Sequence, residues 1–315
     1  MLPICYFVVP CYNEEEALPK SASVFLSKLK KIIKQKEISE HSKVLFIDDG
    51  SKDKTWQIIE NLHKENPAFI GLKLAKNVGH ECALYAGLVW AKDFCDFTIS
   101  LDADLQDNID AVEDFIKEYK NGAKVIFGCR KDRSKDSFFK RVPALTFYKL
   151  MQILKVNIVP NHADYRLISK EPLKILENYK EVNLFLRAIV ADIGFKKAYV
   201  YYNRTPRIAG QTKYPLFKLT ALAWQAITSF SVVPIRLISI LGITIALFSS
   251  IIFAYFFLTK LLSNRAFPGY ASLICSIWLL GGLQLFAIGI IGEYIGKTYL
   301  ETKRRPRYTI EKTLN

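Results

Sequence analysis

The chain has 315 residues, half of them apolar, which excludes a disordered chain and leaves room for one sizeable core plus an appendage. Its net charge of +14 implies an anionic partner, whether nucleic acid, an acidic membrane surface or a phosphorylated substrate, and charge alone does not choose among them. The six cysteines, at 5, 11, 82, 95, 129 and 275, show no paired metal-ligand spacing and no disulfide-rich module, and they fit a reducing cytosol for the domain that holds five of them.

The first element, Leu2 to Val9, is apolar but short, lacks a basic leader and runs into Pro10, so it reads as a buried strand rather than a signal peptide. Strand-like and helix-like patterns then alternate to about residue 205, which predicts an α/β domain with a mainly parallel sheet. Strands are expected at Ile4–Val9, Lys43–Ile47, Ile70–Leu74, Phe97–Leu101 and Lys124–Cys129. The helical patterns between them include Asp53–Asn66, stopped by Pro67, and Asp107–Asn121, ended by Gly122. In such sheets ligands bind at the carboxyl ends of the strands.

Tyr214 to Phe230 mixes aromatics and leucines with few charges, as a helix lying in a membrane interface would, although packing on the globular domain explains it equally well. Leu237 to Leu258 and Phe267 to Gly292 are charge-free and each long enough to span a bilayer. Arg204, Arg207, Lys213, Lys218 and Arg236 precede the first span and Lys297, Lys303, Arg304, Arg305 and Arg307 follow the second, which puts both ends in the cytosol. The same basic collars suit anionic headgroups and account for much of the charge without nucleic acid. Glu293 is expected at the cytosolic interface, and Gly281, Gly282 and Gly289 permit close helix approach and hence a homo-oligomer. The resulting organisation is a catalytic domain at 1–213, an interfacial helix at 214–232, two transmembrane helices at 233–296 and a basic tail at 297–315.

Polar clusters follow three of the strands: Pro10-Cys11-Tyr12-Asn13-Glu14-Glu15, Asp48-Asp49-Gly50-Ser51-Lys52-Asp53 and Asp102-Ala103-Asp104-Leu105-Gln106-Asp107. Taken singly, each also reads as ordinary helix capping. The i, i+2 spacing of Asp102 and Asp104 after an apolar strand can aim both carboxylates to one side of a loop, where a hard cation, Mg2+ or Mn2+, would be shared with substrate phosphates. The histidines do not cluster in sequence, which argues against zinc, and Ser51 lacks the pattern of a hydrolase nucleophile.

VVPCYNEEE, FIDDGSKDKT, NVGHECALYAGL, SLDADLQD and FGCRKDR, in this order, resemble family 2 glycosyltransferases of the GT-A fold. DYRLISK, RIAGQTKY, SFSVVPIR and IGEYIGKTYLETKRRPRY narrow the resemblance to bacterial polyprenyl-phosphate glycosyltransferases similar to dolichyl-phosphate mannose synthase. The resemblance implies that Pro10, Tyr12 and Glu14 line a nucleotide pocket, with Ile47 and Asp49 near the base. It places Asp102 and Ala103 beside ribose and diphosphate, and gives the metal to Asp104, with Asp102 and Gln106. Arg130, Arg207 and Lys213, with Arg141 in a more loosely similar segment, match basic positions that meet phosphates; Asp164, in Asp164-Tyr165-Arg166, orients the acceptor or one of those cations, or else forms a structural Asp–Arg pair. Two phosphorylated reactants repel unless fixed cations stand between them, which supports the basic set independently.

The expected reaction is inverting transfer of a hexose from a nucleoside diphosphate sugar to polyprenyl phosphate. UDP-glucose is the first expected donor, then UDP-N-acetylglucosamine and GDP-mannose, and undecaprenyl phosphate the expected lipid. The expected location is the bacterial inner membrane, with the catalytic domain cytosolic. A processive polysaccharide synthase and a non-catalytic nucleotide-sugar-binding scaffold are the alternatives. The first usually adds a Gln-x-x-Arg-Trp segment, and no tryptophan here follows an arginine; the intact Asp102, Asp104 and Gln106 set argues against the second.

Overall fold

Seven consecutive buried residues, Cys5–Cys11, make β1, a strand covered on both faces as the middle of a parallel sheet requires. In the computed structural model, which describes residues 1–131, 162–181, 184–203, 233–263 and 269–315, this strand pairs in parallel with β2 (Lys43–Asp48) on one side and β4 (Phe97–Ser100) on the other. β3 (Phe69–Leu74) extends the parallel set beyond β2. Helices α1 (Leu18–Lys34), α2 (Thr55–Glu65) and α3 (His80–Ala91) form the crossovers. α1 buries Leu18, Ala22, Phe25, Leu29 and Ile32, spaced three or four apart as one helical face demands. α3 is apolar almost all round and is buried along most of its length.

The sheet continues through α4 (Ala111–Lys120), β5 (Val125–Arg130), β6 (His162–Ser169), α5 (Lys170–Leu176), α6 (Leu186–Asp192) and β7 (Lys197–Tyr202). Its order is β7-β5-β6-β4-β1-β2-β3-β8, with β6 antiparallel between β4 and β5. Phe7, Phe25, Phe46, Phe97, Phe115 and Tyr165 anchor the core beside it. All five expected strands are present within one or two residues of their expected ends, and the α/β reading stands.

Three differences stand out. α4 begins at Ala111 rather than near Asp107, because the Asp107 carboxylate is drawn inward to accept from Tyr202. The charge-free runs fall in α7 (Val233–Ser263) and α8 (Tyr270–Thr302), but α8 carries its helix past Gly292 into the polar segment. The expected basic tail is built instead as the end of α8 followed by an edge strand, β8 (Ile310–Leu314), antiparallel to β3. Lys73–Glu311 and Lys312–Glu60 ion pairs flank it, and the Arg307 guanidinium lies 4.7 Å from the centroid of the Tyr85 ring. Residues 304–315 accordingly belong to the compact unit of the sheet, whereas α7 and α8 belong to a second unit.

α7 and α8 are long and apolar enough to cross a membrane by length and composition. Leu237, Ile243, Leu247, Phe248 and Ile251 stand exposed on α7, an arrangement that water does not favour and lipid does. Glu293 lies 3.7 Å from Lys297, one turn along α8. The expected interfacial helix at 214–232 lies outside the described residues.

Candidate active site

The turns after β1 and β2 bind each other through side chains, which is where many of the polar residues in their clusters are spent. Asn13 N–H donates to Ser51 Oγ (3.0 Å), Glu14 N–H to Thr55 Oγ1 (2.9 Å) and Glu15 N–H to Asp53 Oδ2 (3.2 Å). In return Lys52 N–H donates to Asn13 Oδ1 (2.9 Å) and Lys54 N–H to Glu15 Oε2 (3.1 Å). These bonds fix two neighbouring strand ends as one rigid rim.

Along this rim Pro10 is buried, Tyr12 and Glu14 are half-buried, and Ile47 is wholly enclosed. Asp49, 2% exposed, accepts from the backbone N–H groups of Val78 (2.7 Å) and Gly79 (3.0 Å). Burial pushes its carboxyl up, and those two N–H groups oppose the shift. Asp49 therefore ties the end of β2 to the start of α3. Gly79, at φ +90, supplies a turn that side-chain-bearing residues rarely adopt, and His80 follows as the first residue of the helix.

β4 leads into the acidic loop. Leu101 N–H donates to Val8 O (3.0 Å), so Asp102 leaves the sheet at the carboxyl ends of the parallel strands. Ala103 is buried, Asp104 is half-buried and its Oδ1 accepts from Gln106 N–H (3.1 Å), and Gln106 is 8% exposed. Desolvation pushes the Asp102 carboxyl up to about 6, with His80 pulling it down and Asp107, Asp164 and Asp104 pushing it further up.

The antiparallel pairing of Ser100 with Arg166 carries Asp164 over the same end of β4. Asp164 Oδ1 accepts from Arg166 Nη2 (2.5 Å) and Arg187 Nε (3.2 Å), and its Oδ2 from Arg187 Nη2 (3.0 Å). Burial acts to raise the Asp164 carboxyl, but the Arg187 and Arg166 guanidiniums overcome it and hold the group well below the usual carboxylate range. Arg166 is fully buried and also donates to Leu186 O (3.2 Å), while Glu81 accepts from Leu186 N–H (3.0 Å), so α6 is strapped to both β6 and α3.

His80 Nε2 stands 3.8 Å from Asp102 Oδ1 and 3.8 Å from Asp164 Oδ2. On the other flank the buried Asp107 accepts from Tyr202 O–H (2.6 Å) and from Arg130 Nη2 (3.4 Å). Burial, reinforced by Asp107, pushes the Tyr202 hydroxyl far up, so it stays a donor. Arg130 is thus held at the site by an internal carboxylate.

The structure brings Asp102, Asp104, Gln106, Asp164 and Arg130 to the carboxyl edge of the sheet; Arg141, Arg207 and Lys213 lie outside the described residues. His80, Glu81, Arg187 and Tyr202 lie at the candidate site and were not assigned from the sequence, whereas Arg166 makes the structural Asp–Arg pair that was one of the two expectations for Asp164. The signal available for His80 was a Gly-His pair at a helix start, and for Arg166 an Asp-x-Arg within an apolar strand.

The donors in the acidic loop are hard oxygens, the chemistry that Mg2+ or Mn2+ prefers. Among the described residues no three His, Cys, Asp or Glu side chains converge as a cage, so such an ion would draw much of its shell from substrate oxygens and water.

The sequence profile of the family described as glycosyl transferase family 2 matches residues 6–176. A glycosyltransferase of Bacillus subtilis, YkoT, is 50% identical over 309 residues, 98% of this chain and 91% of that one. A prophage bactoprenol glucosyl transferase homolog of Escherichia coli is 40% identical over 306 residues, covering 97% of both chains. An SfII prophage-derived bactoprenol glucosyl transferase of Shigella flexneri is 39% identical over 307 residues, again 97% of both.

Proposed function

Because this chain belongs to glycosyl transferase family 2, we propose that it transfers a hexose from a nucleoside diphosphate sugar to a polyprenyl phosphate at the cytosolic face of a membrane. The observation that carries the reading is the pairing, in one chain, of an acidic loop at the carboxyl edge of a parallel sheet with two membrane-length apolar helices. A lipid-linked acceptor needs both. Relatives named bactoprenol glucosyl transferases align over almost the whole chain, the apolar helices included, which supports the lipid acceptor and favours UDP-glucose as donor.

In this reading Asp102 and Asp104, with Gln106, hold a divalent cation, which when bound neutralises charge on the departing diphosphate. The rim formed by Pro10, Tyr12, Glu14, Ile47 and Asp49 receives the nucleotide, with Ile47 offering backbone rather than its enclosed side chain. Arg130, Arg207 and Lys213, with Arg141, meet phosphates. Asp164 acts by position: a carboxylate held so low by two guanidiniums takes up no proton at neutral pH. None is required, because a phosphate monoester has a second pKa of about 6 and arrives ionised. Its attack opposite the departing nucleotide inverts the anomeric carbon.

The test is a panel of radiolabelled UDP-glucose, UDP-N-acetylglucosamine and GDP-mannose, assayed with short polyprenyl phosphate and Mg2+ or Mn2+, followed by lipid extraction. Label in the lipid phase, lost when the metal is chelated, is the expected result. No lipid-phase label from any donor overturns the proposal.

A further inference from the structure

His80 stands between the two carboxylates that flank the acidic loop, and its backbone is fixed from behind. Asp49 holds the N–H groups of the two preceding residues, so the helix start cannot drift without breaking a buried contact. The side chain is 38% exposed and therefore reachable by a ligand.

At 3.8 Å, Nε2 is too far from Asp164 Oδ2 for a direct hydrogen bond. The gap is near what a bridging oxygen spans: one placed about 2.8 Å from each atom sees them at roughly 85°, and an outward shift of the partly exposed imidazole by roughly 0.6 Å opens this to the angle between the hydrogen and a lone pair of a hydroxyl. A hydroxyl needs one acceptor and one donor. The Asp164 carboxylate, ionised and anchored by Arg166 and Arg187, can only accept, and an imidazole protonated on Nε2 donates. Each carboxylate oxygen has two acceptor sites, so Oδ2 retains one beyond its bond to Arg187. An ionised phosphate cannot complete this bridge, because it has no hydrogen to donate to the Asp164 carboxylate, which only accepts. Among the parts of a nucleoside diphosphate sugar, the sugar hydroxyls fit.

We propose that His80 and Asp164 together grip one hydroxyl of the transferred hexose, making His80 a specificity-determining residue of the donor site. This rests on the reading of the protein as a nucleotide-sugar transferase. A site built to hydrogen-bond a hydroxyl rejects a donor lacking it more strongly than an apolar pocket rejects an added group.

The experiment is calorimetric binding to the full-length protein in detergent with Mg2+. UDP is compared with UDP-glucose and UDP-N-acetylglucosamine, and GDP with GDP-mannose, for wild type, His80→Ala and His80→Gln. The readout is the affinity for the nucleotide sugar divided by that for its parent nucleotide, taken for the donor that wild type binds best. In His80→Ala this ratio falls roughly 3- to 10-fold, the range for a hydrogen bond between neutral groups, while nucleotide affinity is unchanged. His80→Gln, which keeps an N–H donor, recovers part of the loss. Among the singly deoxygenated forms of that donor, one binds wild type more weakly than the intact donor binds His80→Ala, because it forfeits the Asp164 bond as well, and it loses nothing further in the variant. Equal losses for nucleotide and nucleotide sugar, or no loss at all, overturn the assignment. Wild-type protein that shows the sugar-dependent ratio but glycosylates no polyprenyl phosphate refutes the transfer reading alone. Wild type that binds none of the donors refutes both.

Discussion

Replacing Asp164 by alanine tests whether the site is held together by a buried ion pair. The carboxylate is 12% exposed and meets Arg166, whose side chain is wholly buried, at 2.5 Å. Removing it leaves that guanidinium with the Leu186 carbonyl and the more distant Asp164 backbone carbonyl. An uncompensated buried charge of this kind costs about 3–5 kcal/mol, a large part of the ~5–15 kcal/mol that holds a domain folded. The other partner, Arg187, is 36% exposed, so water replaces much of what Asp164 gives it and Arg187→Ala costs about 1 kcal/mol or less. Urea unfolding in detergent, followed by tryptophan fluorescence, separates the two. With a slope of about 2 kcal/mol per M, Asp164→Ala lowers the midpoint by roughly 2 M and Arg187→Ala by well under 1 M. The pH dependence has a definite sign. A carboxylate depressed in the fold contributes its stability above the unfolded value of about 4 and loses it as pH falls through the lower folded value. The gap between wild type and Asp164→Ala therefore stays constant from neutrality down to about pH 4 and closes below it. Equal midpoints for wild type and Asp164→Ala at pH 7, or an Arg187→Ala cost as large, would refute the reasoning.

Asp104→Asn keeps the acceptor used by Gln106 N–H but loses the charge, so transfer falls by at least 100-fold while the unfolding free energy changes by less than about 0.5 kcal/mol. The Asp102 carboxyl, pushed up to about 6, ligates a cation only when ionised, so Mn2+ affinity measured by calorimetry falls as pH drops through about 6. In Asp102→Asn that pH dependence is flattened. Gly50 has φ +62, and a Cβ there would lie 2.6 Å from the backbone of Asn77, so Gly50→Ala destabilises the β2 turn by roughly 1–3 kcal/mol, read as a lower thermal midpoint.

The parallel strands and their polar ends were legible because buried apolar runs punctuated by acids and glycine are local signals. Asp102, Asp104 and Gln106 sit within five residues, and the loop that presents them is written in one stretch of chain. The rest of the site is tertiary. His80 meets Asp164 across 84 positions, and Arg187 meets it across 23 from a short helix, separations that no periodicity encodes. Many of the polar residues that looked functional, Asn13, Glu15, Ser51 and Asp53 among them, join one turn to another. β8 escaped notice because Ile-Glu-Lys-Thr-Leu at an edge has no buried alternation, and only its pairing with β3 makes it a strand.

That last strand changes what a soluble version of the protein would need. The polypeptide leaves the sheet after β7, and after both apolar helices it comes back to finish beside β3, so the stretch that holds those helices is an insertion between two strands of one sheet. Cutting the gene before Val233 would discard the closing strand together with the helices, baring the N–H and C=O groups along β3 as a template for aggregation. A short linker from the end of the domain to residues 304–315 would restore that border while omitting the helices.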